Sequence, residues 1–192
     1  MPSIQIDDRI IDYQINRKPD IYFTKIYIDE INGIQVTVND QKSDGQVEAF
    51  VEKKADWIFE KWQEHHPELY RFPTFESEQK ISYLGRSYKL YIEESEEDSA
   101  AFSFQKGKFF FNYPPALSDS EQELAEELSA WLKDKAKTKF KEVSSKNVAV
   151  EEDRTRLGYK QNGEIHLNWR LVQCSKEEIK QVIGQLERGE TC

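Results

Sequence analysis

The sequence predicts an α+β fold within a single domain over 1–192. A β-rich N-terminal part with one helix (1–117) precedes a helix/strand/helix part (118–192). Three observations carry this. β-branched and aromatic residues crowd the first forty positions, two later segments alternate around a glycine, and two stretches beyond residue 117 place apolar side chains at helical spacing behind a capping signature.

Taken in order, "IIDYQIN" (10–16), "IYFTKIYI" (21–28) and "IQVTV" (34–38) alternate in part and break at Asn32-Gly33, which predicts an antiparallel meander. From Gln46 to Glu64 the positions Val47, Phe50, Val51, Ile58 and Trp62 fit one helical stripe, which predicts a single helix ended by His65-His66-Pro67. "KISYLGRSYKLYIEE" and "AFSFQKGKFFFNY" predict hairpins around Gly85-Arg86 and Lys106-Gly107, since glycine supplies the positive φ of tight turns. Ser118 with Glu121 is a capping box, and Leu124, Leu128, Trp131, Leu132 and Phe140 carry a long helix toward Lys141. Residues 147–151 and 164–169 predict strands separated by the turn "KQNG". Ser175 with Glu178 opens a last helix whose apolar face is Ile179, Val182, Ile183 and Leu186, with Gly189 placed as its C-cap.

Composition narrows the function classes. The 192 residues include 11 Phe, 9 Tyr and 4 Trp, enough large apolar surface for an ordered core. A net charge of −9, without a basic stripe interleaved with aromatics, argues against nucleic acid and anionic lipid as partners. The N-terminus lacks a signal-peptide pattern and no window has the apolar length of a membrane span, so a cytoplasmic protein is expected. Cys174 and Cys192 are too few for a disulfide framework and read as free thiols. The acidic patch "EESEEDS" at 93–99 reads as a solvated turn.

Few residues suggest chemistry on their own. His65 and His66 are adjacent before a proline, and His166 lies far along the chain, so the three do not read as a metal set. Glu121, Glu123, Glu126 and Glu127 crowd the start of a helix, where the macrodipole favours acids. Cys174 precedes a helix N-terminus but has no recognisable base, and there is no nucleophile elbow, phosphate loop or dinucleotide fingerprint.

The order of three strings says more. "ISYLGRSYKLYI", "TRLG" and "NGEIHLNWRLV", the second and third following a long helix, resemble the YgjP-like metallopeptidase family of zincin-type hydrolases over nearly the whole chain. The resemblance implies a zinc-dependent hydrolase, a peptidase. In that family a Thr-Arg-Trp-Gly-Ser-Cys string precedes the strand, HExxH stands on the helix after it, and a further histidine follows. Thr155, Arg156 and Gly158 keep the string, Leu157 stands for its tryptophan, and Tyr159-Lys160 replace Ser-Cys; Asn168, Trp169 and Arg170 fit well. Read without a gap from the strand, the first motif histidine falls on Gln185, the glutamate on Leu186 and the second histidine on Gly189.

HExxH works because imidazoles at i and i+4 share a helix face at the metal while the glutamate serves the metal-bound water as base. Amide, leucine and glycine supply none of this, and only three residues follow Gly189. The expectation is therefore a C-terminally truncated or degenerate member, catalytically inactive, with no catalytic residue, no metal ligand and no cofactor. What remains of the family frame is the strand before the metal helix, which in zincin-like folds pairs with an extended substrate. This marks Glu164, Ile165, His166, Leu167 and Asn168, with Arg156 as polar anchor, as peptide-binding residues. The opposing reading is an internally paired strand with Trp169 packed in the core. Three functional readings stand: a peptide- or protein-binding module; a decayed remnant, or half of a split metallopeptidase completed by a downstream reading frame; or a hydrolase with an unrecognised site. The final helix, lacking the segment that would cover it, is expected to leave its apolar face partly open to self-association.

Overall fold

The computed structural model describes all residues except 1, 7–8, 30, 66, 71–72, 75–78, 118–120, 145–146, 153–155 and 190–192. The cap expected at Ser118 and the positions of His66, Thr155 and Cys192 lie outside the described residues. The chain forms two compact units, 1–68 with 151–168 and 182–192, and 69–150 with 169–181. Four helices and eleven strands among the described residues accord with the α+β expectation, and no helix among them is long and apolar enough to cross a membrane.

In the first unit, β1 (Ser3–Ile6), β2 (Arg9–Lys18), β3 (Lys25–Asp29) and β4 (Gly33–Asn39) form a sheet in the order β1-β2-β4-β3. β2 and β4 run parallel, with Tyr13 opposite Ile34, so the predicted antiparallel meander is corrected to a mixed sheet. Burial explains the insertion. β4 buries Ile34, Val36 and Val38 on one face and Gly33 and Gln35 on the other, as an inner strand needs, whereas β3 leaves Lys25 exposed and takes the edge. The expected strand 21–28 shortens to β3, because Tyr22 and Phe23 stand in solvent ahead of it.

The single helix predicted for 46–64 is two: α1 (Asp44–Glu52), capped by a reciprocal Ser43–Gln46 box, and α2 (Ala55–His65). The break at Lys53-Lys54 keeps the stripe in phase. Val47, Val51, Ala55, Ile58 and Trp62 are all buried, and periodicity cannot register a break that leaves the buried face continuous. Most of this stripe joins Ile4, Ile11, Tyr13 and the β4 residues in the core of the unit.

The second unit repeats the sheet topology. β5 (Lys80–Tyr83), β6 (Arg86–Glu94), β7 (Ala101–Gln105) and β8 (Lys108–Tyr113) lie in the order β5-β6-β8-β7, again with the second and fourth strands parallel. The hairpin turns fall on Leu84-Gly85 and Lys106-Gly107, all four residues at positive φ, so the first lies one residue earlier than predicted. Residues 96–99 of the acidic patch form an exposed loop. α3 (Glu121–Val143) buries Leu124, Leu128, Leu132, Ala136 and Phe140; the leucines and the phenylalanine each contribute up to about 1.5–3 kcal/mol by burial, Ala136 less. Trp131 packs edge-on against Tyr83 and Phe109 at centroid distances of 5.0 and 5.1 Å.

The remaining strands are β9 (Val148–Glu151), β10 (Gly158–Gln161) and β11 (Glu164–Asn168), and the chain ends in α4 (Lys176–Arg188). The predicted strand 164–169 stops at Asn168, where Trp169 opens a 3-10 turn running to Gln173. β10 was not predicted. "GYKQ" is short, with two of its four residues exposed, and Lys160-Gln161 read instead as part of the turn, which is Asn162-Gly163.

Candidate functional site

The parts of the first unit that carry the family strings are the β10–β11 hairpin and the second half of α4. Asn162 (φ 51°) and Gly163 (φ 84°) make the turn, and Gly158 pairs with Leu167, Tyr159 with His166. Gly158 is there for space. A Cβ would come within 2.7 Å of the His166 carbonyl oxygen, 2.9 Å of Leu167 Cδ2 and 3.0 Å of Leu186 Cδ1. Glycine thus lets α4 lie close on the hairpin.

A buried polar network holds the segment before β10. Asp29 Oδ1 accepts bonds from the Ile31 and Asn32 backbone N–H groups at 3.0 and 2.8 Å and from Asn32 Nδ2 at 3.1 Å, which presents the Ile31 carbonyl inward. That carbonyl accepts from the N–H groups of Leu157 and Gly158 at 2.9 and 3.2 Å. Asn168 closes the network: its N–H donates to the Leu157 carbonyl at 2.8 Å and its Nδ2 to the Arg156 carbonyl at 3.1 Å. Asn168 is 1% exposed, so its side chain serves the backbone and is shut off from a ligand.

Arg156 is buried too, its guanidinium carbon 3.6 Å above the Tyr159 ring. Tyr159 stacks on His166 at 4.4 Å with rings 5° from parallel, and His166 Nδ1 lies 2.9 Å from Glu151 Oε1. This ladder of cation, phenol, imidazole and carboxylate braces the hairpin. Arg156, expected as a polar anchor for a peptide, is stacked here on Tyr159.

The residues expected to bind peptide are thus brought together, but mostly inward. Ile165, Leu167 and Asn168 are buried, His166 is half-buried in the ladder, and Glu164 is exposed. Within this unit β11 pairs with β10 along its length, and Glu151 meets His166.

In the second unit Trp169 is 1% exposed, with the Arg170 guanidinium carbon 4.3 Å from its ring centroid. The Leu84-Gly85 turn donates its N–H groups to the carbonyls of Val172 and Gln173 at 2.9 and 3.0 Å. A Cβ on Gly85 would stand 2.8 Å from that of Ser175, so this glycine serves both its positive φ and a close approach. Cys174 is half-buried next to Ser175, and the glutamates at the start of α3 form a partly solvated face.

α4 opens as predicted. The Glu178 N–H donates to Ser175 Oγ at 3.2 Å and the Ser175 N–H to Glu178 Oε2 at 2.7 Å. The bonds from Ser175 hold the Glu178 carboxyl below its ordinary value. Ile179, Val182, Ile183 and Leu186 are 0, 8, 7 and 3% exposed, so the expected open apolar face is absent; Leu186 is covered by the hairpin at Gly158. At the three motif positions Gln185 is half-buried, Leu186 is core, and Gly189 ends the helix at φ 69°, its N–H on the Leu186 carbonyl at 3.3 Å. Lys160 Nζ caps the same end through the Glu187 carbonyl at 3.2 Å.

Leu186 and Gly189 line an open recess of about 370 Å³, with Gln14, Asn32, Lys160, Asn162 and Gly163. The zinc implied by the family strings does not fit here. An amide, an aliphatic side chain and a glycine are no donor set for it, and no cluster of three or more His, Cys, Asp or Glu among the described residues could hold a metal ion. Sequence reasoning missed the recess because Gln14, Asn32 and Lys160 are far apart in the chain and carry no motif. Compared with known proteins, the chain matches the family model described as "YgjP-like, metallopeptidase domain" over residues 24–183. No curated protein and no solved structure matches it.

Proposed function

The chain belongs to the YgjP-like metallopeptidase family, and on that premise we propose that it is a non-hydrolytic member whose role is to bind a peptide or protein partner. One observation carries the reading: the helix turn where the family bears its metal motif is built here as core and terminus. Leu186, at the position of the general base, is 3% exposed, and Gly189, at the position of the second histidine, takes a left-handed conformation that closes the helix. Both are positive structural uses of those positions, and both are incompatible with presenting an imidazole and a carboxylate to one metal.

Incubation with a mixed peptide library, with added Zn²⁺ in one arm and a chelator in the other, tests the first half of the proposal. The expected outcome is the same set of intact peptides in both arms by mass spectrometry. Cleavage that appears with zinc and disappears with chelator would overturn it.

A further inference from the structure

We propose that the edge strand β3 of the first unit is a docking site for an extended acidic segment of a partner protein, which adds to the sheet as a fifth strand. This names the partner class for the binding role proposed above and rests on it. β3 ends the sheet, with β4 on one side only, and among the described residues no backbone hydrogen bond closes its outer side. Such an edge presents a row of unpaired N–H and C=O groups, the template for strand addition.

Its surroundings are those of a binding surface. Proteins blunt an edge that must stay unpaired with charges and prolines. This one carries Lys25 on the strand, but it is entered through Tyr22 and Phe23, 100% and 59% exposed, and Trp57 beside it is 40% exposed. A cavity of about 210 Å³ lies against the strand, lined by Ile26, Phe50, Lys54 and Trp57. Ile26 and Ile28 turn toward the core, so an added residue opposite Ile26 would point the same way, into that cavity. The cavity takes one large aliphatic or aromatic side chain.

Charge selects the rest of the partner. The chain is acidic overall, yet this rim carries Lys25, Lys42 and Lys54, none of them in an ion pair with a described carboxylate. Lys25 Nζ lies 5.6 Å from the Tyr27 ring centroid, Lys42 Nζ lies 6.0 Å from that of Phe50, and Lys42 also bonds Thr24 Oγ1. With Lys54 at the cavity, Lys42 at Thr24 and Lys25 on the strand, the edge carries cations on a chain of net charge −9, which suits an acidic segment.

The test uses the full chain and three synthetic peptides: one alternating Glu and Val around a central Leu, its Lys-for-Glu counterpart, and a version with Pro beside the Leu. The Glu peptide should bind saturably, protect backbone amides of 25–29 from hydrogen exchange, and lose at least about fivefold in affinity with Trp57→Ala or Lys54→Glu. The Lys and Pro peptides should bind at least as much more weakly. No binding of the Glu peptide, binding without protection at 25–29, or equal binding of all three would overturn the proposal. So would concentration-dependent protection of 25–29 without peptide, which would assign the edge to a second copy. Binding without protection at 25–29 would remove this site and leave the binding role standing, and none of these outcomes depends on zinc or cleavage.

Discussion

Restoring the family motif on α4 should break the helix packing before it makes an enzyme. In the triple variant Gln185→His, Leu186→Glu, Gly189→His, the first change touches a half-buried position and costs little. Leu186 is 3% exposed and packs on the hairpin at Gly158, so losing its side chain alone costs about 2–5 kcal/mol, and a buried carboxylate adds to that. Gly189 sits at φ 69°, where a side chain costs about 1–2 kcal/mol. Together these two losses come to about 3–7 kcal/mol, to which the buried carboxylate adds, against total stabilities of about 5–15 kcal/mol for native domains. Urea unfolding followed by circular dichroism should show a sharply lowered midpoint. Zinc titration of the still-folded fraction should show at most weak binding. A triple variant with the parent midpoint that cleaves peptides would refute the reasoning.

Two further perturbations probe the same region. Gly158→Ala should destabilise by about 1–3 kcal/mol, since its Cβ would meet backbone and two leucine methyls. Combining it with Leu186→Ala should cost less than the sum of the two single changes, because Leu186 Cδ1 is one of the groups it meets; strict additivity in urea midpoints would show that this contact is not formed. For Glu178, whose carboxyl is held below its ordinary 4.5 by the Ser175 bonds, the stabilisation is complete above about pH 4.5 and is lost as pH falls through the lowered value. The stability difference between the parent and Glu178→Gln should therefore shrink on acidification below that point, and a difference constant with pH would contradict the cap geometry.

How far these features were legible in the sequence depended on whether they were local. The Ser175–Glu178 box, the Gly189 terminus and the Lys106-Gly107 turn are decided by neighbours in the chain, and they were read correctly. The parallel pairing of β2 with β4 depends on which strand takes the sheet interior, a competition of burial that the alternation of each strand alone does not display. α1 and α2 looked like one helix because Val51 and Ala55 keep the stripe across Lys53-Lys54. Arg156 and Asn168 were singled out by the family strings, but their burial was invisible, since it comes from Tyr159 stacking and from backbone carbonyls with no sequence signature. The lysines around β3 were likewise unremarkable until folding placed Lys42 and Lys54 near one edge.

The central claim, that α4 carries no zinc site, meets its most direct test in the metal content of the purified chain after mild dialysis. Gln185, Leu186 and Gly189 predict far less than one zinc per chain by elemental analysis, even after incubation with excess Zn²⁺ and removal of the free ion. Stoichiometric zinc that resists a chelator would contradict the account.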